Sequence, residues 1–226
     1  GLSEKAEEHS GWTDGKCTYC GKTCSHIWTD DRCSICGLIP KEVGAFIVAG
    51  GEQNTDYSYS DGTLAIRTAT ALSIRNAAPE IPTTDKIKIN SDVSANITLT
   101  GVNIDVSGQE NTCAFEIAEG STGEVTITLA DDTKNILKSG NDCAGLQKEG
   151  ETGSLVIRGE TKGTGALVAS GGLNGAGIGG GKKGAGTNIT ICGATVTAIG
   201  GSSAAGIGGG SYNEGNNIVI TGGSVK

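Results

Sequence analysis

Five of the eight cysteines and both histidines lie within the first 36 residues of the 226-residue chain. The cysteines form two Cys-x-x-Cys-Gly segments, 17–21 and 33–37, with Cys24 and His26 between them. Thiolate and imidazole are the ligands that zinc prefers in structural sites, and the glycine after each pair favours a turn that points both sulfurs at one ion. The spacing therefore predicts a small, zinc-ribbon-like head.

The head offers more than one set of metal ligands. The second copy supplies four ligands, Cys24, His26, Cys33 and Cys36. The first copy supplies three, His9, Cys17 and Cys20. Glu7 stands where the second copy has Cys24, so we expect the first site to be incomplete or weaker. Two alternatives remain open: both Cys-x-x-Cys pairs around a single ion, as in a zinc ribbon, or a set of disulfides. With zinc bound, the metal replaces a core that about forty residues cannot build.

A different pattern begins beyond residue 40, where a glycine-rich phrase repeats with a period of 29 residues. Ala-Gly-Ile-Gly-Gly-Gly occurs at 176–181 and again at 205–210. Asn188 and Asn217, separated by the same 29 positions, each begin a short apolar segment. A fixed period of this length is typical of stacked structural units, not of one globular core.

Weaker copies of the repeat continue upstream with a similar period. Successive units begin at Ile97, Ile127, Ile157, Ile189 and Ile218. Each unit holds short runs in which Ile, Val or Leu alternates with polar residues, which predicts strands, and Gly, Asn, Asp and Ser separate the runs, which predicts turns. An earlier unit is indicated by apolar pairs at 64–66, 72–74 and 87–89.

The repeat predicts an all-β fold, a right-handed parallel β-helix with three short strands per coil of about 30 residues. We place the head at residues 1–40 and the β-helix at 41–226. The sequence stops directly after the strand-like segment Ser224-Val225. Because a solenoid needs capped ends, we expect the β-helix to be truncated at its C-terminus and to continue in a longer protein.

The three remaining cysteines lie in the repeat region. The sequence alignment places Cys113 and Cys143 at equivalent interior positions of adjacent coils, where the next coils have Ala176 and Ala205. Free thiols are favoured over a disulfide there, because stacked side chains point in parallel directions. Cys192 stands alone, and no histidine follows residue 26 to activate it as a nucleophile.

These motifs together resemble a known class of bacterial regions. Asn-Ile-Thr-Ile, Gly-Ala-Gly-Ile-Gly-Gly-Gly and Thr-Gly-Gly-Ser-Val resemble the glycine-rich β-helix regions of secreted surface proteins of Gram-positive gut bacteria. Such regions are similar to the pectate-lyase-like superfamily and to non-catalytic carbohydrate-binding β-helices. The head resembles the Cys-x-x-Cys-Gly and His-x-Trp repeats of the same surface proteins. The resemblance implies a secreted or cell-surface location and a polysaccharide, host glycan or cell-wall glycan as partner.

The catalytic patterns that this resemblance implies are missing from the sequence. Lyases of the superfamily use Arg or Lys beside calcium, but no dense acidic cluster accompanies Arg67, Arg75 or Arg158, so calcium has no support. Asp131-Asp132 is the only match to the hydrolase segments, and it is more typical of a solvated turn. We therefore expect a non-catalytic module for carbohydrate binding or adhesion. A β-helix lyase or hydrolase is the first alternative, and a purely structural stalk is the second.

Three tyrosines are the candidate ligand-binding residues. Aromatic rings can stack on sugars, and Tyr57, Tyr59 and Tyr212 are the tyrosines of the repeat region. The formal net charge is −8 and no basic patch is visible, so nucleic acid is not an expected partner. No apolar run approaches 18 residues, so we expect no membrane span.

Overall fold

The structure is a computed structural model that describes residues 40–226 and, before them, four two-residue strands. These strands are β1 (Trp12–Thr13), β2 (Lys16–Cys17), β3 (Trp28–Thr29) and β4 (Arg32–Cys33). They form two antiparallel pairs, in which Trp12 lies opposite Cys17 and Trp28 lies opposite Cys33. The two sequence copies of the head thus share the same strand pairing.

Residues 40–226 are built from short strands joined by turns, without a helix in this part of the chain. The strands are β5 (Lys41–Val43), β6 (Phe46–Ala49), β7 (Tyr57–Ser60), β8 (Thr63–Ile66), β9 (Leu72–Asn76), β10 (Lys86–Ile89), β11 (Ala95–Leu99), β12 (Asn103–Asp105), β13 (Phe115–Ile117), β14 (Glu124–Leu129), β15 (Lys134–Lys138), β16 (Leu146–Lys148), β17 (Ser154–Gly159), β18 (Ala166–Ser170), β19 (Ile178–Gly179), β20 (Gly186–Cys192), β21 (Ala194–Ile199), β22 (Ile207–Gly208), β23 (Gly215–Ile220) and β24 (Gly223–Val225). No helix of the described residues is long and apolar enough to cross a membrane.

These strands form three sheets that wind around one core. Sheet 1 has the order β5-β6-β9-β11-β14-β17-β20-β23, sheet 2 the order β12-β15-β18-β21-β24, and sheet 3 the order β7-β8-β10-β13-β16-β19-β22. From β11 onwards the chain passes through sheets 1, 2 and 3 in turn, and every strand pairs in parallel with its counterpart one coil away. The fold is a parallel β-solenoid of about five turns, as the repeat predicts.

Alternation along each strand explains how the coils stack. In β14, Val125, Ile127 and Leu129 are buried, whereas Thr126 and Thr128 are only partly so. The parallel register places Ile97, Ile127 and Ile157 in one interior row, so each isoleucine packs against the same residue type above and below. Burying each such side chain stabilises the fold by about 1.5–3 kcal/mol, so a ladder of them builds a core without large residues.

The observed register corrects the sequence alignment at one coil. Ile157 pairs with Ile191, and Leu155 pairs with Ile189, so the expected equivalence of Ile157 and Ile189 was wrong by two residues. A shift of two keeps every side chain on the same face of the sheet, and the core row is therefore uninterrupted. The earliest coil also has no second strand: Thr83 meets Ile104 only as an isolated bridge.

The N-terminal end of the solenoid is covered by antiparallel strands, which the sequence did not predict. β5 and β6 form a hairpin whose second strand runs antiparallel to β9, and β7 runs antiparallel to β8. We call β5–β7 the cap. It brings Phe46 and Tyr57, two of the largest fully buried side chains, over the end of the core. Their rings fill the volume that another coil would otherwise occupy.

Candidate functional site

The cap decides which of the three candidate tyrosines can meet a ligand. Tyr57 is 1% exposed and belongs to the core, so the surface stacking expected of it does not fit its position. Tyr59 is half-buried, and its hydroxyl donates a hydrogen bond of 2.6 Å to Oδ2 of Asp85. This bond, together with burial and the charge of Asp85, raises the pKa of Tyr59 to about 12. Its ring also packs against Gly44, so Tyr59 fastens the cap to the first coil.

Tyr212, the third candidate, lies in the turn between β22 and β23 and is 89% exposed. Its φ of 65° is in the left-handed region, and Lys183, 29 residues earlier, has a φ of 61° at the matching turn. A bulky side chain rarely adopts this conformation, which costs about 1 kcal/mol or more relative to glycine. The backbone of Tyr212 is therefore strained, and its side chain is exposed to solvent.

Tyr212 lines an open cavity of about 660 Å³ around β22, the edge strand of sheet 3 in the last coil. Ile207 and Ile218 contribute apolar surface to it, and both also pack partly against the core. Hydrogen-bonding side chains on the turns before and after β22 line the remainder: Ser202, Ser203, Asn213 and Glu214. We call this cavity, with Tyr212, the Tyr212 cavity. One exposed ring beside hydroxyl, amide and carboxylate groups is an arrangement suited to a polyhydroxylated ligand.

A polar network connects the Tyr212 turn to two loops of the preceding coil, the loop before β19 and the turn after it. Asn213 Nδ2 donates to the carbonyl of Lys183 at 2.8 Å, and the Lys183 N–H donates to the carbonyl of Ser211 at 2.9 Å. The Ser211 N–H in turn donates to the carbonyl of Asn174 at 2.9 Å. Because the turn is bonded to both neighbouring loops, the position of Tyr212 is set by the coil below it.

The network ends at an ion pair with two opposite pKa shifts. Asp142 accepts hydrogen bonds from Asn174 Nδ2 at 2.6 Å and Lys182 Nζ at 2.9 Å. These bonds lower the pKa of Asp142, with Asn174 contributing most, and the same ion pair raises the pKa of Lys182. Both groups are therefore charged near neutral pH, and Lys182 lies near Tyr212.

Glu149 is the one nearby carboxyl whose pKa is raised, because burial disfavours its charge. Its Oε1 accepts the N–H of Gly181 at 2.8 Å, and the chain at Gly184 passes directly over the same oxygen. Glu149 thus supports the turn of the next coil. Opposite pKa shifts in two neighbouring carboxyls are typical of acid–base catalysis. Here, however, both Glu149 and Asp142 accept hydrogen bonds that stabilise turns.

Other acidic and basic residues named from the sequence serve the same structural role. Asp131 accepts backbone N–H groups of Lys162 at 2.7 Å and Thr164 at 3.2 Å, and Asp132 pairs with Lys162 Nζ at 3.0 Å. Arg158 donates from Nε to Thr128 Oγ1 at 3.1 Å on the outer face of sheet 1. Asp131 and Asp132 therefore bind the turn of the following coil.

No metal site is formed by the residues that the structure describes. Within them, no three His, Cys, Asp or Glu side chains lie close enough together to hold an ion. Of the predicted zinc ligands, Cys17 and Cys33 fall in the described strands β2 and β4. The others lie outside the described residues: His9, Cys20, Cys24, His26 and Cys36.

The register also corrects the alignment of the paired cysteines. Phe115 pairs with Leu146, so continuing the register puts Cys113 opposite Ala144, and Cys143 one residue earlier, opposite Thr112. The two cysteines are diagonal neighbours, not stacked equivalents. The Cys113 thiol hydrogen-bonds to the sulfur of Cys143, which raises the pKa of Cys113 and lowers the pKa of Cys143. Both thiols are free, as is Cys192.

The chain can be classified by its fold only, because the comparisons with known proteins found no match. No protein-family model, no curated protein and no solved structure matches the chain. The described part of the chain therefore defines a class by architecture alone: a capped, glycine-rich parallel β-solenoid.

Proposed function

We propose that this chain is a non-catalytic carbohydrate-binding or adhesion module of a secreted or cell-surface protein. Its ligand is a polysaccharide or glycan, part of which occupies the Tyr212 cavity. The observation that supports the proposal most is the 89% exposure of Tyr212 beside a cavity lined by hydroxyl, amide and carboxylate side chains.

The chemistry of a sugar ring suits these groups. One face of a pyranose carries C–H groups that pack on an aromatic ring, and its hydroxyls both donate and accept hydrogen bonds. Ser202 and Ser203 can do either, Asn213 offers an amide, and Glu214 accepts. The cavity is open, which favours one segment of a long polymer over an enclosed small molecule.

A glycan array probed with the purified chain tests this proposal. We expect binding to one class of polysaccharide, with at least a tenfold loss in affinity for Tyr212→Ala, since ring stacking contributes about 0.5–1.5 kcal/mol beyond buried area. Ile81→Ala is the matched control, because Ile81 is 66% exposed but is absent from the lining of this cavity. Binding that is unchanged in Tyr212→Ala would contradict the site. No binding to any glycan would instead favour the structural-stalk alternative.

We also propose that the head binds zinc through Cys24, His26, Cys33 and Cys36, with Cys17, Cys20 and His9 available for a second or shared ion. Support comes from the donor chemistry and from the paired strands: each Cys-x-x-Cys-Gly segment begins at the last residue of a second strand, β2 or β4. Closely spaced cysteine pairs of this kind are typical ligands of structural zinc sites. Metal analysis after purification under reducing conditions should find one or two zinc ions per chain, and Cys36→Ser should lose at least one. A metal-free, correctly folded chain would overturn the zinc proposal.

A further inference from the structure

Cys113 and Cys143 lie side by side on adjacent coils, and we propose that they form a disulfide that cross-links those coils. The oxidant is a small-molecule disulfide, of which oxidised glutathione is the simplest example. The cross-link would be a modification site separate from the Tyr212 cavity.

The backbone geometry of the pair fits a disulfide. Neighbouring strands are about 4.8 Å apart and each residue rises about 3.3 Å, so a diagonal offset of one residue gives a Cα separation of about 6 Å. Disulfides prefer a Cα separation of about 5.5–6 Å. Residues stacked directly opposite one another would be closer and their side chains parallel. The one-residue offset that the alignment missed therefore makes the bond feasible.

Hydrogen bonds hold both cysteines in place. Around Cys113, the Gly140 N–H donates to the Thr112 carbonyl at 2.9 Å, and the Ala114 N–H donates to Ser139 Oγ at 2.8 Å. The Cys143 carbonyl accepts the N–H of Gly172 at 3.0 Å. The Cys143 N–H also donates to the Gly140 carbonyl at 3.2 Å, so Gly140 links the turn of Cys143 to Thr112, the residue before Cys113.

The two thiols differ in access and in acidity. Cys113 is half-buried and lines a cavity of about 230 Å³ with Lys86, Lys88 and Glu116, whereas Cys143 is 6% exposed. A small disulfide therefore reaches Cys113 more easily, but the pKa of Cys143 is the lowered one, so either thiol can react first.

The proposed step is a pair of thiol–disulfide exchanges. The thiolate of one cysteine attacks one sulfur of the small disulfide, forming a mixed disulfide and releasing one small thiolate. The thiolate of the other cysteine then attacks the cysteine sulfur of this mixed disulfide, and the second small thiolate leaves. The two protons from the cysteines end on the two released thiols, so two cysteine thiols are oxidised and one external disulfide is reduced.

Peptide mapping of the intact chain after equilibration with oxidised and reduced glutathione tests the proposal. Cleavage after lysine and arginine places Cys113 in peptide 89–134 and Cys143 in peptide 139–148, so the cross-link joins two separate peptides. We expect the joined peptide, lighter than the sum of its parts by two hydrogen atoms, in oxidising mixtures. The Cys192 peptide, which contains a single cysteine, is the internal control and should form only mixed disulfides.

Thermal unfolding provides a second readout. The cross-link closes a loop of about 30 residues, so Tm should rise by about 5 °C or more on oxidation. Cys192→Ser should retain this rise, whereas Cys113→Ser with Cys143→Ser should abolish it without unfolding the reduced chain. Separate glutathione adducts on Cys113 and Cys143, or two free thiols under oxidising conditions, would overturn the proposal.

Discussion

Asn135 reaches across a corner of the solenoid to Val102 of the preceding coil, where its Oδ1 accepts the Val102 N–H at 2.9 Å. The same oxygen accepts the Gly101 N–H at 3.0 Å, and Nδ2 donates to the Ala166 carbonyl of the following coil at 3.2 Å. One fully buried amide thus joins three successive coils where the chain turns from sheet 1 to sheet 2. Asn76, one coil closer to the cap, forms a similar pair of hydrogen bonds. Its Nδ2 donates to the carbonyl of Asn103, and its Oδ1 accepts the Asn103 N–H.

Removing the Asn135 amide should destabilise the solenoid strongly. Asn135→Ala leaves the buried N–H of Val102 and half-buried backbone groups of Gly101 and Ala166 without these partners. We expect a loss of about 3 kcal/mol in the free energy of unfolding. Urea unfolding measures the change. Asn103→Ala is the control, since that side chain points outward from sheet 2 and should change stability by less than about 0.5 kcal/mol.

Loss of the Tyr59 hydroxyl should loosen the cap. Tyr59→Phe removes a hydrogen bond to Asp85, whose other bond to the Ala45 N–H remains, so we expect a loss of about 1–3 kcal/mol. The folded-state pKa of about 12 exceeds the ordinary value of 10.0, so this stabilisation is complete below pH 10 and is lost as the pH rises towards 12. Absorbance titration of tyrosinate should show a late ionisation of Tyr59 that disappears in Tyr59→Phe, whereas that of Tyr57, whose pKa burial also raises, should remain. Tyr212→Phe should leave the late ionisation of Tyr59 in place.

Lys148 should make stability rise with pH. It is 2% exposed, lies opposite Ile117, and its ammonium donates to the carbonyls of Gly150 at 2.9 Å and Thr152 at 2.8 Å. Burial lowers its pKa below 10.5, so the unfolded chain binds more protons between the folded and unfolded pKa values. Stability should therefore increase as the pH rises through this window. Urea midpoints from pH 7 to pH 10 check this, and an equal slope in Lys148→Met would contradict it.

Substitution by alanine should have different effects on stability at Gly140 and at Gly108, because the surroundings of the two glycines differ. A Cβ at Gly140 would collide with the carbonyl of Gln109, so Gly140→Ala requires a backbone shift and should cost about 3 kcal/mol or more. At Gly108 a Cβ would meet nothing within 4 Å, and φ is not in the left-handed region. Gly108→Ala should be neutral or stabilising by about 0.4–1 kcal/mol, because it restricts the unfolded chain. Equal melting temperatures for the two variants would contradict the close packing of these turns.

Tyr212→Gly should separate stability from binding. Glycine adopts a φ of 65° without strain, so we expect the variant to be more stable by about 1 kcal/mol while losing glycan affinity. Thermal unfolding and the glycan assay on the same preparation measure both effects. A variant that loses stability as well as binding would show that the ring supports the fold.

Periodicity alone predicted the stacking but not the details that shape the surface. The row through Ile97 and Ile127 follows from equal spacing and alternation. The pairing of Ile157 with Ile191 does not, because the extra residues lie in turns, whose length the core does not constrain. The same limitation moved Cys143 one residue away from the expected equivalence with Cys113.

The cap and the tyrosines show a second limit of the sequence. Residues 46–49 have ordinary strand composition, and nothing local specifies that they run antiparallel to β9. Tyr57 and Tyr59 alternate with serine, a pattern that puts both rings on one face of the strand. That this face packs against the core depends on the tertiary structure, which the local sequence does not specify. Tyr212 is accessible because it lies in a turn of the last coil, between the edge strands β22 and β23.

The stacking direction has a mechanical consequence. Hydrogen bonds between parallel strands of successive coils, such as β14 and β17, lie along the solenoid axis. A pulling force along that axis loads every coil boundary in series, so the weakest boundary opens first and extension proceeds one coil at a time. A disulfide between Cys113 and Cys143 would lock the boundary between the coils of β13 and β16, so a pulled molecule would lengthen in fewer steps after oxidation.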